Sequence, residues 1–142
     1  MTNLFAHVEL STDDAKAARK FYKKVCPSWK LTDMKSPSGT YTVIDVAAQG
    51  PGKRLAAGGG IQAKMMPNAP TGWMPYISVT NLAKSLAVAK KLGAKIVMPA
   101  EDIGMGMIAI FVDPTGAFCG LWEPAPAKKP AKKSAAKKKS KK

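Results

Sequence analysis

The sequence predicts an α+β fold built from two tandem βαβββ modules. Three observations lead there. The order strand, helix, strand, strand, strand occurs twice. The two helix-capping residues, Asp14 and Asn81, lie 67 positions apart, and a Pro- and Gly-rich connector, Met65–Gly72, separates the copies. The modules are expected over about 4–64 and 73–123, with the connector at 65–72. Together they make one domain over 1–123, followed by a disordered tail at 124–142.

Each element has a local reason. Residues 4–10 alternate in polarity, as a half-buried strand does. Ser11-Thr12-Asp13-Asp14 supplies N-cap side chains for a helix over Ala15–Val25, which Pro27 stops. Ala18, Phe21, Tyr22 and Val25 fall at helical spacing and are expected to form its buried face. Strands follow at Trp29–Met34, Tyr41–Ala47 and Leu55–Ala63. Gly58-Gly59-Gly60 in the last of these predicts a bulge or a close backbone approach. In the second copy a strand at 74–80 precedes Asn81 and a helix over Leu82–Leu92, with Gly93 as its C-terminal stop. Strands at Lys95–Pro99, Met107–Val112 and Ala117–Trp122 complete it, the last two joined by the turn Asp113-Pro114-Thr115-Gly116.

The chain has 142 residues, 46% of them apolar, enough for a single buried core. No apolar run approaches the length that spans a bilayer, and the N-terminus does not read as a signal peptide, so a cytoplasmic protein with no membrane partner is expected. Cys26 and Cys119 lack metal-like spacing, and a single histidine excludes a multi-histidine centre. The glycine runs 58–60 and 104–106 lack phosphate-loop spacing.

The formal net charge is +14, but nine lysines fall at 128–142 with no acid among them, leaving +5 on residues 1–127. Those nine are Lys128, Lys129, Lys132, Lys133, Lys137, Lys138, Lys139, Lys141 and Lys142. With only Pro, Ala, Ser and Lys, the tail has no large side chain to offset the entropy of ordering it. It resembles the tails of linker histones and bacterial histone-like proteins. Such a tail would bind nucleic acid through phosphate neutralisation and without reading sequence. The competing reading is a solubilising tail.

The duplicated pattern, with His7-Val8-Glu9-Leu10, then Asp14 followed by Phe21-Tyr22, then Leu92-Gly93-Ala94 and Asp113-Pro114-Thr115-Gly116 leading to Leu121-Trp122, resembles the vicinal oxygen chelate superfamily, also called the glyoxalase/bleomycin-resistance fold. The resemblance implies an open, barrel-like eight-stranded sheet with the helices outside and a small-molecule cavity on its concave face. It also implies pairing of subunits into a homodimer. In metal-dependent members four ligands converge in that cavity. Here the corresponding positions hold His7, Met74, Gly120 and a residue near Gly58–Gln62, where Gln62 is the only oxygen donor. Glycine offers no side chain and methionine is a soft ligand, so no metal cofactor is expected; His7 and Gln62 would serve only if a divalent ion were bound.

Period-two arithmetic places Phe5, His7, Met74 and Tyr76 on the cavity wall, together with Ser78, Phe118, Gly120 and Trp122. Glycine at 120 is expected to enlarge the space. His7 and Glu9 share a face and are the candidates for acid/base work, against a plainer reading with His7 as a pocket polar group and Glu9 reaching solvent at the rim. The wall suits an uncharged or weakly polar organic ligand. The leading expectation is therefore a metal-free protein binding a small organic molecule. The alternatives are a nucleoid-associated protein acting through its lysine tail, and a metal-dependent lyase or dioxygenase.

Overall fold

The computed structural model describes residues 3–37, 39–46 and 58–126. The elements in chain order are β1 (Phe5–Thr12), α1 (Ala15–Val25), β2 (Lys30–Ser36), β3 (Gly39–Asp45), β4 (Gly58–Ala63), β5 (Gly72–Ser78), α2 (Leu82–Lys91), β6 (Lys95–Asp102), β7 (Gly106–Val112) and β8 (Phe118–Pro124). All ten expected elements are present, with ends displaced by a few residues. The expected positions 47 and 55–57 lie outside the described residues, as does the lysine tail beyond 126.

The strands form one sheet in the order β2-β3-β4-β1-β5-β8-β7-β6. β1 and β5 pair antiparallel at its centre, while β1 pairs β4 and β5 pairs β8 in parallel. A local two-fold axis therefore runs between β1 and β5, and the β1–β4 and β5–β8 seams are its equivalent partners.

Capping residues set both helices. Asp14 Oδ1 accepts from the Ala17 N–H at 2.8 Å, and Asn81 Oδ1 accepts from Lys84 N–H at 2.8 Å. α2 ends in a Schellman turn: Gly93, at φ +96°, donates to Lys90 and Ala94 donates to Ala89. α1 ends where Cys26 donates to Tyr22 just before Pro27.

Both helices cover the same face of the sheet. Under α1, Leu10, Ile44 and Ile61 form a buried cluster with Ala15, Ala18 and Tyr22 against it. Under α2 the cluster is Val79, Leu82, Ala109 and Leu121. Ile61 and Leu82 are almost wholly enclosed, and each contributes about 2 kcal/mol by removal of its side chain from water. The expected buried face of α1 is only half right. Ala18 and Tyr22 pack inward, but Phe21 and Val25 are each 57% exposed. The inward stripe is Ala15, Ala18 and Tyr22, spaced by three and four residues, which rotates Phe21 and Val25 off the sheet.

The triple glycine of β4 marks a close approach, with no bulge in its pairing to β1. A Cβ on Gly59 would strike the Val8 carbonyl, and one on Gly60 would fall on the Tyr41 hydroxyl. Among the described residues no helix covers the opposite face of the sheet, and that face holds the site.

Candidate functional site

Glu9 stands at the middle of the sheet on β1 and is 7% exposed. Three neutral donors converge on its carboxylate. Gln62 Nε2 and the Tyr76 hydroxyl donate to Oε1 at 2.7 and 3.3 Å, and the Tyr41 hydroxyl donates to Oε2 at 3.0 Å. His7 Nε2 lies 2.7 Å from the Tyr41 oxygen and 3.9 Å from Glu9 Oε2. Because Tyr41 gives its hydrogen to Glu9, its oxygen is free to accept, which fixes the His7 proton on Nε2. The chain His7–Tyr41–Glu9 is thus a directed hydrogen-bond relay. It runs from a partly exposed imidazole to a buried carboxylate.

Burial raises the pKa of Glu9, and the bonds from Tyr41, Tyr76 and Gln62 oppose that rise. Burial also lowers the pKa of His7, favouring its neutral form. Both tyrosines are pushed well above the usual phenol range, first by burial and then by the negative charge of Glu9, so they remain donors at any physiological pH.

The sheet pairing explains how the tyrosines reach the carboxylate. Tyr76 faces Gly120 directly across the β5–β8 seam, and its ring lies where a Cβ at 120 would project. Tyr41 sits diagonal to Gly60, because Val43 is the direct partner of that glycine, and the phenol crosses over it. Each tyrosine is seated on a glycine, in the way an aromatic ring covers a side-chain-free position in a strand pair.

A cavity of about 670 Å³ opens beside this cluster. Glu9, Ser11 and Gln62 give it polarity at one side, and Met74, Ile110 and Phe118 form its sheet wall. The connector contributes Met65, Met66, Ala69 and Pro70, and β6 closes it with Val97, Met98 and Pro99. A smaller apolar cavity of about 260 Å³ lies on the helix side, between Val8, Trp29, Ile44 and Trp73.

Several expectations are corrected. Glu9 does not reach solvent at a rim; Tyr41, Tyr76 and Gln62 cover it. Gly120 does not enlarge the cavity, because the Tyr76 ring fills the space. Of the eight expected wall residues, Met74 and Phe118 line the cavity, while His7 and Tyr76 meet edge to face at 5.8 Å behind Glu9. Phe5 is 65% exposed and off the wall. A register shift between Phe5 and His7 pairs Phe5 with Ile77, so strict alternation fails there. Ser78 is tied at the far end of the sheet to Asn3 and Leu4, and Trp122 abuts Gly106; neither lines the cavity. Tyr41, central to the cluster, was absent from the expected site. The signal that could have found it is its 67-residue offset from Ile108, the same as that between Asp14 and Asn81, which makes the two equivalent positions of the duplicated modules.

The register also corrects the fourth ligand position. Glu9 pairs with Gly60 as its counterpart Tyr76 pairs with Gly120, so Gly60, and not Gln62, is the two-fold mate of Gly120. The four positions therefore hold His7, Met74, Gly60 and Gly120, and tyrosine rings occupy the space above both glycines. That donor set does not fit a divalent ion held at those positions. Among the described residues no three His, Cys, Asp or Glu side chains come together. Glu123 faces the helices, where its Oε2 accepts from the Leu82 N–H at 2.7 Å.

Among the described residues no helix is long and apolar enough to cross a membrane. Comparison with solved structures finds the same fold. A hypothetical protein from Bacillus halodurans, BH1468, matches with a TM-score of 0.64 at 12% identity, over 91% of this chain and 99% of that one. Methylmalonyl-CoA epimerase from Mycobacterium tuberculosis matches with a TM-score of 0.59 at 19% identity, over 84% and 87%. In sequence, the chain is 36% identical over 123 residues to the "Putative glyoxylase CFP32" of Mycobacterium bovis and of Mycobacterium tuberculosis. The match takes in 82% of this chain but only 44% of those relatives, so the chain spans less than half their length. Residues 4–119 match the family profile itself, and the chain belongs to the Glyoxalase/Bleomycin resistance protein/Dioxygenase superfamily.

Proposed function

We propose that the chain binds a small organic molecule in its concave cavity and holds it without a metal ion. The observation that carries this reading is the cavity itself, about 670 Å³ with a mostly apolar wall and one buried carboxylate. Its volume falls in the range of small-molecule sites, and the mix of apolar surface with few polar groups is what such sites have. The two tyrosine-covered glycines support the metal-free part of the reading.

A fragment screen followed by methionine-methyl NMR tests it. Binding fragments should shift the Met74 methyl, and a Met74→Trp variant that fills the cavity should lose them. A screen in which no fragment moves that methyl would overturn the reading. Calorimetric titration of zinc, nickel, manganese and anaerobic iron(II) into the stripped protein tests the metal. Stoichiometric tight binding that disappears in His7→Ala would restore a metal-dependent lyase or dioxygenase.

A second reading is favoured by one composition fact, the nine lysines beyond 127. It is that the tail associates with nucleic acid nonspecifically, alongside the cavity's own role. DNA affinity should fall steeply with salt and vanish in a chain ending at 127; retention by the shortened chain would sink the tail mechanism. Pairing into a homodimer is also proposed, supported by large apolar side chains left exposed on one subunit, Phe5, Phe21 and Met105 among them. Light scattering that returns a monomer mass would refute it.

A further inference from the structure

We infer that the ligand of this cavity is a small organic cation, an ammonium group carried on an apolar or aromatic body. This rests on the small-molecule reading above and narrows it. The argument begins with lone pairs. A carboxylate offers about four acceptor positions. In Glu9, Oε1 already accepts from Gln62 and Tyr76, while Oε2 accepts only from Tyr41. One acceptor position on Oε2 is left, and both Glu9 and the Gln62 side chain that holds its Oε1 border the cavity, so a ligand entering there meets the carboxylate beside that amide.

Charge gives the second step. The donors around Glu9 are two phenols and an amide, all neutral, and among the described residues no lysine or arginine pairs with it. His7 is 3.9 Å from Oε2 and is engaged with the Tyr41 oxygen. The three donors offset part of the cost of burying this carboxylate but bring no positive charge to it. A buried carboxylate in this state gains most from a cationic donor, because any donor makes a charge-assisted hydrogen bond to it but only a cation adds opposite-charge attraction, which is stronger in a partly buried site than in bulk water. The +5 carried by residues 1–127 argues mildly against a strongly cationic ligand, which limits the proposal to a single ammonium group.

The wall supplies the rest of the recognition. Glu9 is the one charged side chain bordering the cavity among the described residues, and Met65, Met66, Met74 and Phe118 stand around the cavity. Aromatic faces and thioethers suit the organic part of an ammonium ion, and a ring face attracts the cation itself. A divalent metal would need several oxygen or nitrogen donors at once, whereas an ammonium needs one acceptor and an apolar pocket.

Three probes sharing a phenyl–two-carbon skeleton separate the possibilities on the unaltered full chain: 2-phenylethylammonium, 2-phenylethanol and phenylacetate. Binding is followed at the methionine methyls, so that association of phenylacetate with surface lysines is not counted. The ammonium should bind at least about tenfold more tightly than the alcohol, as expected when opposite-charge attraction adds to the hydrogen bond. Phenylacetate should leave the Met74 methyl unmoved. In Glu9→Gln the ammonium should fall to the alcohol's affinity. Equal or tighter binding of the alcohol would overturn the cation assignment and leave the small-molecule reading standing. Failure of all three probes overturns the assignment as well, and an empty fragment screen beside it removes the broader reading too. The probe comparison on the natural chain decides the matter even where Glu9→Gln does not fold.

Discussion

The two halves of the sheet are built to one plan and filled with opposite chemistry. Across the two-fold axis His7 corresponds to Met74, Glu9 to Tyr76, Tyr41 to Ile108, and Gln62 to Trp122. The first module supplies the polar cluster, and the second supplies the apolar wall together with one phenol that reaches across. Only Gly60 and Gly120 are alike, and each admits a tyrosine from its own half. Duplication here provides a frame with paired positions, while side-chain identity at those positions divides the labour. A symmetric metal centre would need similar donors from both halves, whereas at the positions that mate with His7 and Gly60 the second half has Met74 and Gly120.

The sharpest way to break the comparison is to fill one glycine. Gly120→Ala places a methyl against the Tyr76 ring, which its hydroxyl ties to Glu9. Overpacking of this kind costs about 1–3 kcal/mol, and loss of the phenol's bond to Glu9 adds to it. Denaturant unfolding of Gly120→Ala, Tyr76→Ala and the double variant should show strong coupling, with the double far less destabilised than the sum. Additive losses would mean that the ring and the glycine are independent.

Removing the hydroxyls one at a time comes next in size. Tyr41→Phe and Tyr76→Phe each delete a donor to a carboxylate, worth about 1.5–3 kcal/mol for a charged acceptor. Tyr41→Phe should cost more. Its bond to Glu9 is shorter, 3.0 against 3.3 Å, and its loss also leaves His7 Nε2 without its acceptor. Equal losses would show that His7 gains nothing from Tyr41.

Much of the frame was legible from the chain. Asp14, Asn81, Gly93 and Pro27 act within a few residues, so caps and stops declare both helices without any tertiary information. The site was less legible because its geometry is set by register. Alternation correctly put His7 and Glu9 on one face, but the burial of Glu9 depends on Tyr41, 32 residues away, and Gln62, 53 residues away. Phe5 was misplaced by a single irregularity in the β1–β5 pairing. The glycines at 60 and 120 announce missing side chains, yet nothing local says that a tyrosine from a neighbouring strand takes up the space.

The titration of the polar half offers a subtler probe. His7 has its pKa lowered below the ordinary 6.5 by burial, so the unfolded chain binds its proton first, and stability from this group is lost as pH falls through 6.5. Glu9 has its pKa raised above the ordinary 4.5, so the folded state holds that proton longer, and stability declines as pH rises from 4.5 through the raised value. The two slopes oppose each other on acidification. Glu9→Gln removes the second, so its melting temperature should drop more steeply below pH 6.5 than that of the natural chain. Parallel curves would mean that Glu9 does not titrate in this range.

The smallest effect compares the two helices. α1 has one capping side chain, Asp14, whereas the N-terminus of α2 has two acceptors, Asn81 on Lys84 N–H and the Glu123 carboxylate on Leu82 N–H. A lost N-cap costs about 1 kcal/mol, and a carboxylate at a helix N-terminus contributes about 0.3–1 kcal/mol. Asp14→Ala should therefore cost more than Asn81→Ala, because in α2 the Glu123 carboxylate still accepts from the first helical N–H. Combining Asn81→Ala with Glu123→Gln should remove that advantage and bring the loss to that of Asp14→Ala or beyond. An Asn81→Ala loss as large as that of Asp14→Ala, with Glu123 intact, would mean that the carboxylate on β8 ties the sheet to the helix without supporting its first turn.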